Sequence, residues 1–240
     1  TGNPRGAVDP REPEHVARAI ATLSLRYVVL TMVDRDDLLD GGAEHVARTV
    51  RALHERQPEL LVETLVGDFN GRPRDIERVL ASEPDVFAHN LEVVRRLTPR
   101  IRDAPSSYQQ SLDVLRHAKQ RSPGRFVKSS LMVGIGETDD EVKESLVDLR
   151  GAGVDIVTLG QYLRPTPKHA AVARYVEPEL FEDFRRVGLE LGFAFVASGP
   201  LVRSSYHAAE GFVQASRDGR APPRSAAAPS PPPSLVPVGA

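Results

Sequence analysis

The 240-residue chain has no cysteine and no tryptophan, and only 5% of its residues are aromatic. Without a thiol it can form no disulfide and, by itself, no thiolate metal site. It has no run of about 18 or more apolar residues, which excludes a membrane-spanning helix. A net charge of -2 gives no electrostatic reason to expect a nucleic-acid partner. The histidines at 15, 45, 54, 89, 117, 169 and 207 lack metal-ligand spacing, and neither a Gly-x-Ser-x-Gly elbow nor a P-loop occurs. No basic presequence or signal peptide opens the chain. Thr1-Gly2-Asn3-Pro4 reads as a turn, so a cytoplasmic location is expected. Lysine is scarce, confined to Lys119, Lys128, Lys143 and Lys168, a bias of genome composition rather than of chemistry.

What is present is an alternation of strand-like and helix-like segments. The run Arg26–Val33 is short, apolar and β-branched, as a buried strand is, and Leu60–Val66, Val86–His89, Phe126–Val133, Ile156–Tyr162 and Phe193–Ala197 read alike. Helical periodicity falls at Glu14–Leu23, Ala43–Arg56, Arg74–Ala81, Tyr108–Arg121, Asp139–Arg150 and Pro178–Leu191. Thr138 followed by Glu141 is a capping box starting the fifth of these. Strands alternating with helices imply βαβ units and a parallel sheet. Six strands without a dinucleotide fingerprint predict an α/β protein built as a partial, TIM-like (β/α)6 barrel, with its chemistry at the C-terminal strand ends. This barrel is assigned to residues 1–216. From residue 217 to 240 the composition collapses to Pro, Ala, Ser and Arg, and that tail is expected to be disordered.

The strand ends hold the candidate site residues. Asp34-Arg35-Asp36-Asp37, continuing to Asp40-Gly41-Gly42, can recognise a polar or cationic ligand, hold a hard metal, or simply cap the next helix. In His89-Asn90-Leu91-Glu92 alternation turns Asn90 and Glu92 the same way, a pairing that suits an amine or a ribose, or a bond between loops. Gly134-Ile135-Gly136-Glu137 lets backbone approach a ligand and adds a carboxylate, although tight β-to-α turns need glycine anyway. Lys128 lies within an apolar strand and requires a partner or a polar lumen. In the loop Gly160–His169, His169 is either an acid–base group or a solvated side chain.

Taken in order, these segments resemble the lipoyl synthase family of radical S-adenosylmethionine enzymes. The resemblance rests on Val33–Asp37 with Asp40–Ala43, Asp68-Phe69-Asn70-Gly71, His89–Val93, Tyr108–Leu112, Leu131–Thr138, Gly160–Pro165 and Gly199–Ala208, spanning Thr1 to about Ala215. It implies two [4Fe–4S] clusters and S-adenosylmethionine as cofactors. It also implies sulfur insertion at C6 and C8 of an octanoyl chain carried on a protein lysine. Asn90, Glu92, Lys128, Gly134, Gly136 and Glu137 become the expected S-adenosylmethionine residues, sharing one inward-facing pocket. Ser205, with Arg203 beside it, becomes the expected oxygen ligand of the auxiliary cluster. The implied partners are octanoylated lipoyl carrier domains of 2-oxoacid dehydrogenase complexes or glycine cleavage H protein, and a ferredoxin- or flavodoxin-like electron donor. A monomer is expected.

The chain departs from this pattern in ways that bear on activity. The family's cluster-binding cysteines, which precede the opening Thr-Gly turn, are absent, and so is the first barrel strand expected ahead of them. Met32 and Ser130 stand where smaller residues are expected, and Gly67 where proline is. Two other readings stay open. One is a metal-dependent barrel lyase or hydrolase using Asp34, Asp36, Asp37 and Glu137; the other is a non-catalytic relative that binds acylated carrier domains.

Overall fold

A computed structural model describes residues 7–205 and Ser216. Its first element is helix α1 (Glu12–Leu23), with Pro13 inside the first turn and Glu12 and Glu14 favouring the positive helix start. The chain then alternates: β1 (Tyr27–Thr31), α2 (Ala43–Arg56), β2 (Leu61–Leu65), a 3-10 turn at Phe69–Gly71, α3 (Pro73–Leu80) and β3 (Val86–Ala88). After the short α4 (Thr98–Ile101) come α5 (Tyr108–Arg121), β4 (Phe126–Val133), α6 (Asp139–Gly151), β5 (Ile156–Gln161), α7 (Pro178–Glu190) and β6 (Phe195–Gly199).

All five strand pairings are parallel and the sheet order is β1-β2-β3-β4-β5-β6. β1 and β6 form its two edges among the described residues, so this is a partial barrel, as expected. Aspartates set the register at the N-terminal strand ends. Asp85 accepts a bond from the Val62 amide (2.7 Å), and Asp155 accepts from the Val127 amide (2.9 Å) and from Lys119 (2.8 Å).

Alternation gives the sheet two apolar faces. Val127, Leu131, Val133, Val157 and Leu159 face the helices and join Ile76, Leu112, Leu115, Leu146, Phe181 and Phe184 in the main core. Val86, Phe126, Ile156 and Phe195 point the other way and form a separate cluster on the inner face. A side chain on either face leaves water, and each large apolar residue contributes about 1.5–3 kcal/mol.

Every expected strand and helix is present, with boundaries shifted by a few residues. The last strand runs Phe195–Gly199 rather than Phe193–Ala197, because Gly192 turns the chain (φ 88°) and ladder pairing begins where Phe195 meets Ile156. The 3-10 turn and α4 were not expected; both are too short to carry a periodic pattern. The proposed tail, residues 217–240, lies outside the described residues. Among the described residues no helix is long and apolar enough to cross a membrane.

One buried ion pair lies on the inner face. Lys128 donates to both carboxylate oxygens of Glu63 (2.8 and 3.0 Å), and the Tyr27 hydroxyl donates to the same carboxylate (2.6 Å). Lys128 and Glu63 are 3% and 1% exposed, so neither charge has water to fall back on. Lys128→Met alone strands the carboxylate and is expected to cost about 3–5 kcal/mol in urea unfolding. The double variant Lys128→Met/Glu63→Gln, which removes both charges, should lose markedly less.

Candidate active site

The C-terminal strand ends converge on a cleft of about 190 Å³. One wall is Asn90 and Glu92, which follow β3. Ser130, Met132 and Gly160 form its inner surface, and Val202, Arg203 and Ser204 close the opposite side. Glu92 is held in a left-handed conformation (φ 72°) by a bridge to β4: its amide donates to the Ser130 carbonyl (3.0 Å) and its carbonyl accepts from Met132 (2.8 Å). A non-glycine residue held in that conformation by its neighbours carries strain of the kind found at functional sites. Asn90 donates from Nδ2 to Glu92 Oε1 (3.1 Å). Burial pushes the Glu92 carboxyl above the usual carboxylate range, while the Asn90 bond and the Arg102 charge act in the other direction. A half-buried carboxyl beside an amide, with a guanidinium lining the same cleft, is suited to an ammonium and a carboxylate on one small ligand.

The floor is polar but satisfied. Thr158 donates to Ser130 Oγ (2.8 Å), and the Lys128–Glu63–Tyr27 group lies further down the strands. Behind the rim, Gln161 donates to the Tyr162 and Arg174 carbonyls (3.0 and 3.1 Å) and accepts from the Val176 amide (2.9 Å), tying the Leu163–Tyr175 loop to β5. His89 is buried between the Val66 carbonyl (2.9 Å) and Ser111 Oγ (3.0 Å).

Of the residues expected to share one pocket, Asn90 and Glu92 line the cleft, whereas Lys128, Gly134, Gly136 and Glu137 are not among its lining residues. Lys128 faces inward as expected, but Glu63 consumes its charge below the cleft. Gly134 and Gly136 do turn sharply (φ 97° and 119°), and their turn wraps the Glu137 carboxylate. Glu137 accepts from the amides of Gly134 (2.6 Å), Ile135 (2.9 Å) and Gly136 (3.1 Å), a concave arrangement of backbone N–H groups that its own side chain fills. Arg203 and Ser204 line the cleft; Ser205 is exposed at the edge of the described segment, and Tyr206 and His207 lie beyond it.

The metal-dependent reading finds no ligand set. Arg35 takes up Asp37 with two 2.8 Å bonds, Asp36 accepts from Asn70 (3.2 Å), and Glu137 is committed to its loop. Burial and the charges of Asp36 and Asp68 push Asp34 upward. Among the described residues no group of three or more His, Asp or Glu side chains could hold a metal ion. His169 bonds Thr166 within its own exposed loop (2.9 Å). Glu63 was missed in the sequence, and Gly160 and Gln161 were read only as part of the loop after the fifth strand, without the roles they take here. An acid within Leu61–Leu65 and a glycine within Ile156–Gln161 were the available signals.

An open six-stranded parallel α/β sheet with its cleft at the C-terminal strand ends fits the barrel of radical S-adenosylmethionine proteins, the class to which the matching family model assigns the chain. The Radical SAM superfamily model matches residues 1–149. Solved structures of the same fold include methylornithine synthase (TM-score 0.60, 15% identity, 91% of this chain and 75% of that one). The [FeFe]-hydrogenase maturase HydG from Carboxydothermus hydrogenoformans also shares it (TM-score 0.63, 13% identity, 87% and 49%). Lipoyl synthase from Sorangium cellulosum is 65% identical over 91% of this chain, and that from Thermus thermophilus 59% over 90%. The chain belongs to the lipoyl synthase family. It spans 62% of the length of the first relative and 67% of the second.

The family implies S-adenosylmethionine and iron–sulfur clusters, and the residues present fit these unequally. The Glu92–Asn90 wall and Arg203 suit the charged amino-acid head of S-adenosylmethionine. With no cysteine, this chain does not supply a thiolate ligand set for a cluster. After anaerobic reconstitution of this chain alone, iron and sulfide analysis is expected to find no stoichiometric cluster; a full complement would contradict that reading.

His89 makes a pH prediction. Burial holds its imidazole at about 4 in the folded protein, whereas an unfolded imidazole takes its proton near a pH of about 6.5. Between those values the unfolded chain binds more protons, so stability falls as pH drops through that window. Urea midpoints measured from pH 7 to 4 should decline less steeply for His89→Gln than for the natural protein.

Proposed function

We propose that this chain is the barrel body of a lipoyl synthase that inserts sulfur at C6 and C8 of a protein-bound octanoyl-lysine. The observation that carries this reading is the 65% identity to the Sorangium lipoyl synthase across 91% of the chain. On this reading the cleft binds S-adenosylmethionine, which when bound supplies the carbon radical for hydrogen abstraction. Glu92 and Asn90 receive its ammonium group and Arg203 its carboxylate. Lys128 acts from below by holding Glu63 neutralised, and Gly134, Gly136 and Glu137 act by shaping the loop at the C-terminal end of β4. The iron–sulfur clusters belong to cysteines that this chain does not contain, and Ser205 with Arg203 is its contribution toward the auxiliary one. The substrates are octanoylated carrier domains, the electron donor is of the ferredoxin or flavodoxin type, and the compartment is the cytoplasm.

The test uses the full-length protein, prepared anaerobically with S-adenosylmethionine, a reductant and an octanoyl-lysine peptide. Mass spectrometry is expected to show a product carrying two added sulfur atoms; accumulation of 5′-deoxyadenosine without any sulfurated peptide would overturn the assignment. Glu92→Gln should raise the dissociation constant for S-adenosylmethionine at least tenfold. Ser205→Ala should leave 5′-deoxyadenosine formation largely intact while abolishing sulfur insertion, and Ser204→Ala should be milder.

A further inference from the structure

Gly160 lies at the C-terminal end of β5 on the inner face, between Met132 of β4 and Gly199 of β6 in the register. Its φ is not positive, so its backbone conformation is one any residue adopts. The absence of a side chain must therefore serve something other than a turn. An added Cβ would overlap the carbonyl oxygen of Val202 and lie 3.1 Å from its carbonyl carbon and 3.7 Å from Arg203 Nη1. The obstructing atoms are backbone, which cannot swing aside as the end of a long side chain can.

The Val202 carbonyl is also where the cleft wall is fixed. Val202 is buried, and its amide bonds back to Gly199 (3.1 Å), closing a turn through Pro200 and Leu201. Its carbonyl accepts a bond from Arg203 Nη1 (2.7 Å), so the guanidinium is oriented by the oxygen that rests against Gly160. Arg203 and Ser204 then face Asn90 and Glu92 across the cleft.

We propose that Gly160 is a positioning residue: its bare α-carbon seats the Val202–Ser204 segment and thereby fixes how far Arg203 stands from Glu92. This rests on the reading of the cleft as an S-adenosylmethionine site, but its structural half can be tested independently of that reading.

In the full-length protein, Gly160→Ala is compared with Gly151→Ala, where an added Cβ would meet no atom within 4 Å. Hydrogen exchange at the amides of Val202–Ser205 should be at least tenfold faster in Gly160→Ala, with β4 and β5 unchanged, and Gly151→Ala should match the natural protein. The calorimetric dissociation constant for S-adenosylmethionine should rise at least tenfold in Gly160→Ala. Arg203→Ala should weaken binding in the natural background and add little in the Gly160→Ala background. Unchanged exchange at Val202–Ser205, or fully additive effects of Gly160→Ala and Arg203→Ala, overturns the proposal. If the natural protein binds no S-adenosylmethionine, the functional reading fails while the exchange result still decides whether Gly160 is the seat. If Gly160→Ala melts too early to measure, Val202→Gly, which loosens the same segment without adding an atom to β5, decides on the same two readouts.

Discussion

The pair formed by Lys128 and Glu63 constrains everything above it on the inner face. Two charges have been taken out of water in the middle of a sheet that is otherwise apolar at that depth, and each is tolerable only because the other is within 3 Å. The pair reaches from β4 to β2 across β3, and Tyr27 extends it to β1. Three strands, β1, β2 and β4, therefore share one electrostatic contact that spans β3. Above it the Ser130–Thr158 bond closes the polar layer, leaving the cleft a floor with few free donors or acceptors. A ligand in the cleft finds its polar partners on the walls.

Those walls come from distant parts of the chain. One follows β3 and is held by the bridge between Glu92 and β4; the other follows β6 and rests on β5. Neither wall is a regular element, and both are held by backbone contacts to a strand of the sheet. That is how a rigid parallel sheet positions loops that carry chemistry.

Much of the fold was legible because its signals are local. The helices at Ala43–Arg56 and Tyr108–Arg121 fall where periodicity places them, and the Thr138–Glu141 capping box forms with both of its bonds. The candidate site was legible only in part. Lys128 was rightly read as needing a partner, but nothing near it in the chain points to Glu63, 65 residues away. Glu137 was read as a group offered to a ligand, whereas the three amides just before it already satisfy its carboxylate. Sequence alternation shows which way a side chain points; it does not show whether the protein has already used that side chain. The seat at Gly160 was invisible for a related reason, since the segment that needs it lies more than forty residues further on.

The aspartates at the foot of the sheet add a consequence for assembly. Asp85 and Asp155 each hold a peptide hydrogen of the neighbouring strand. A one-residue slip of β4 would aim the Val127 amide away from Asp155 and turn Lys128 toward the helices, away from Glu63. Both penalties are incurred by the same error, one at the foot of the strand and one at its middle. A mispaired sheet is thus rejected twice over, by a lost peptide hydrogen bond and by a stranded charge, before any ligand can report that the cleft is misshapen.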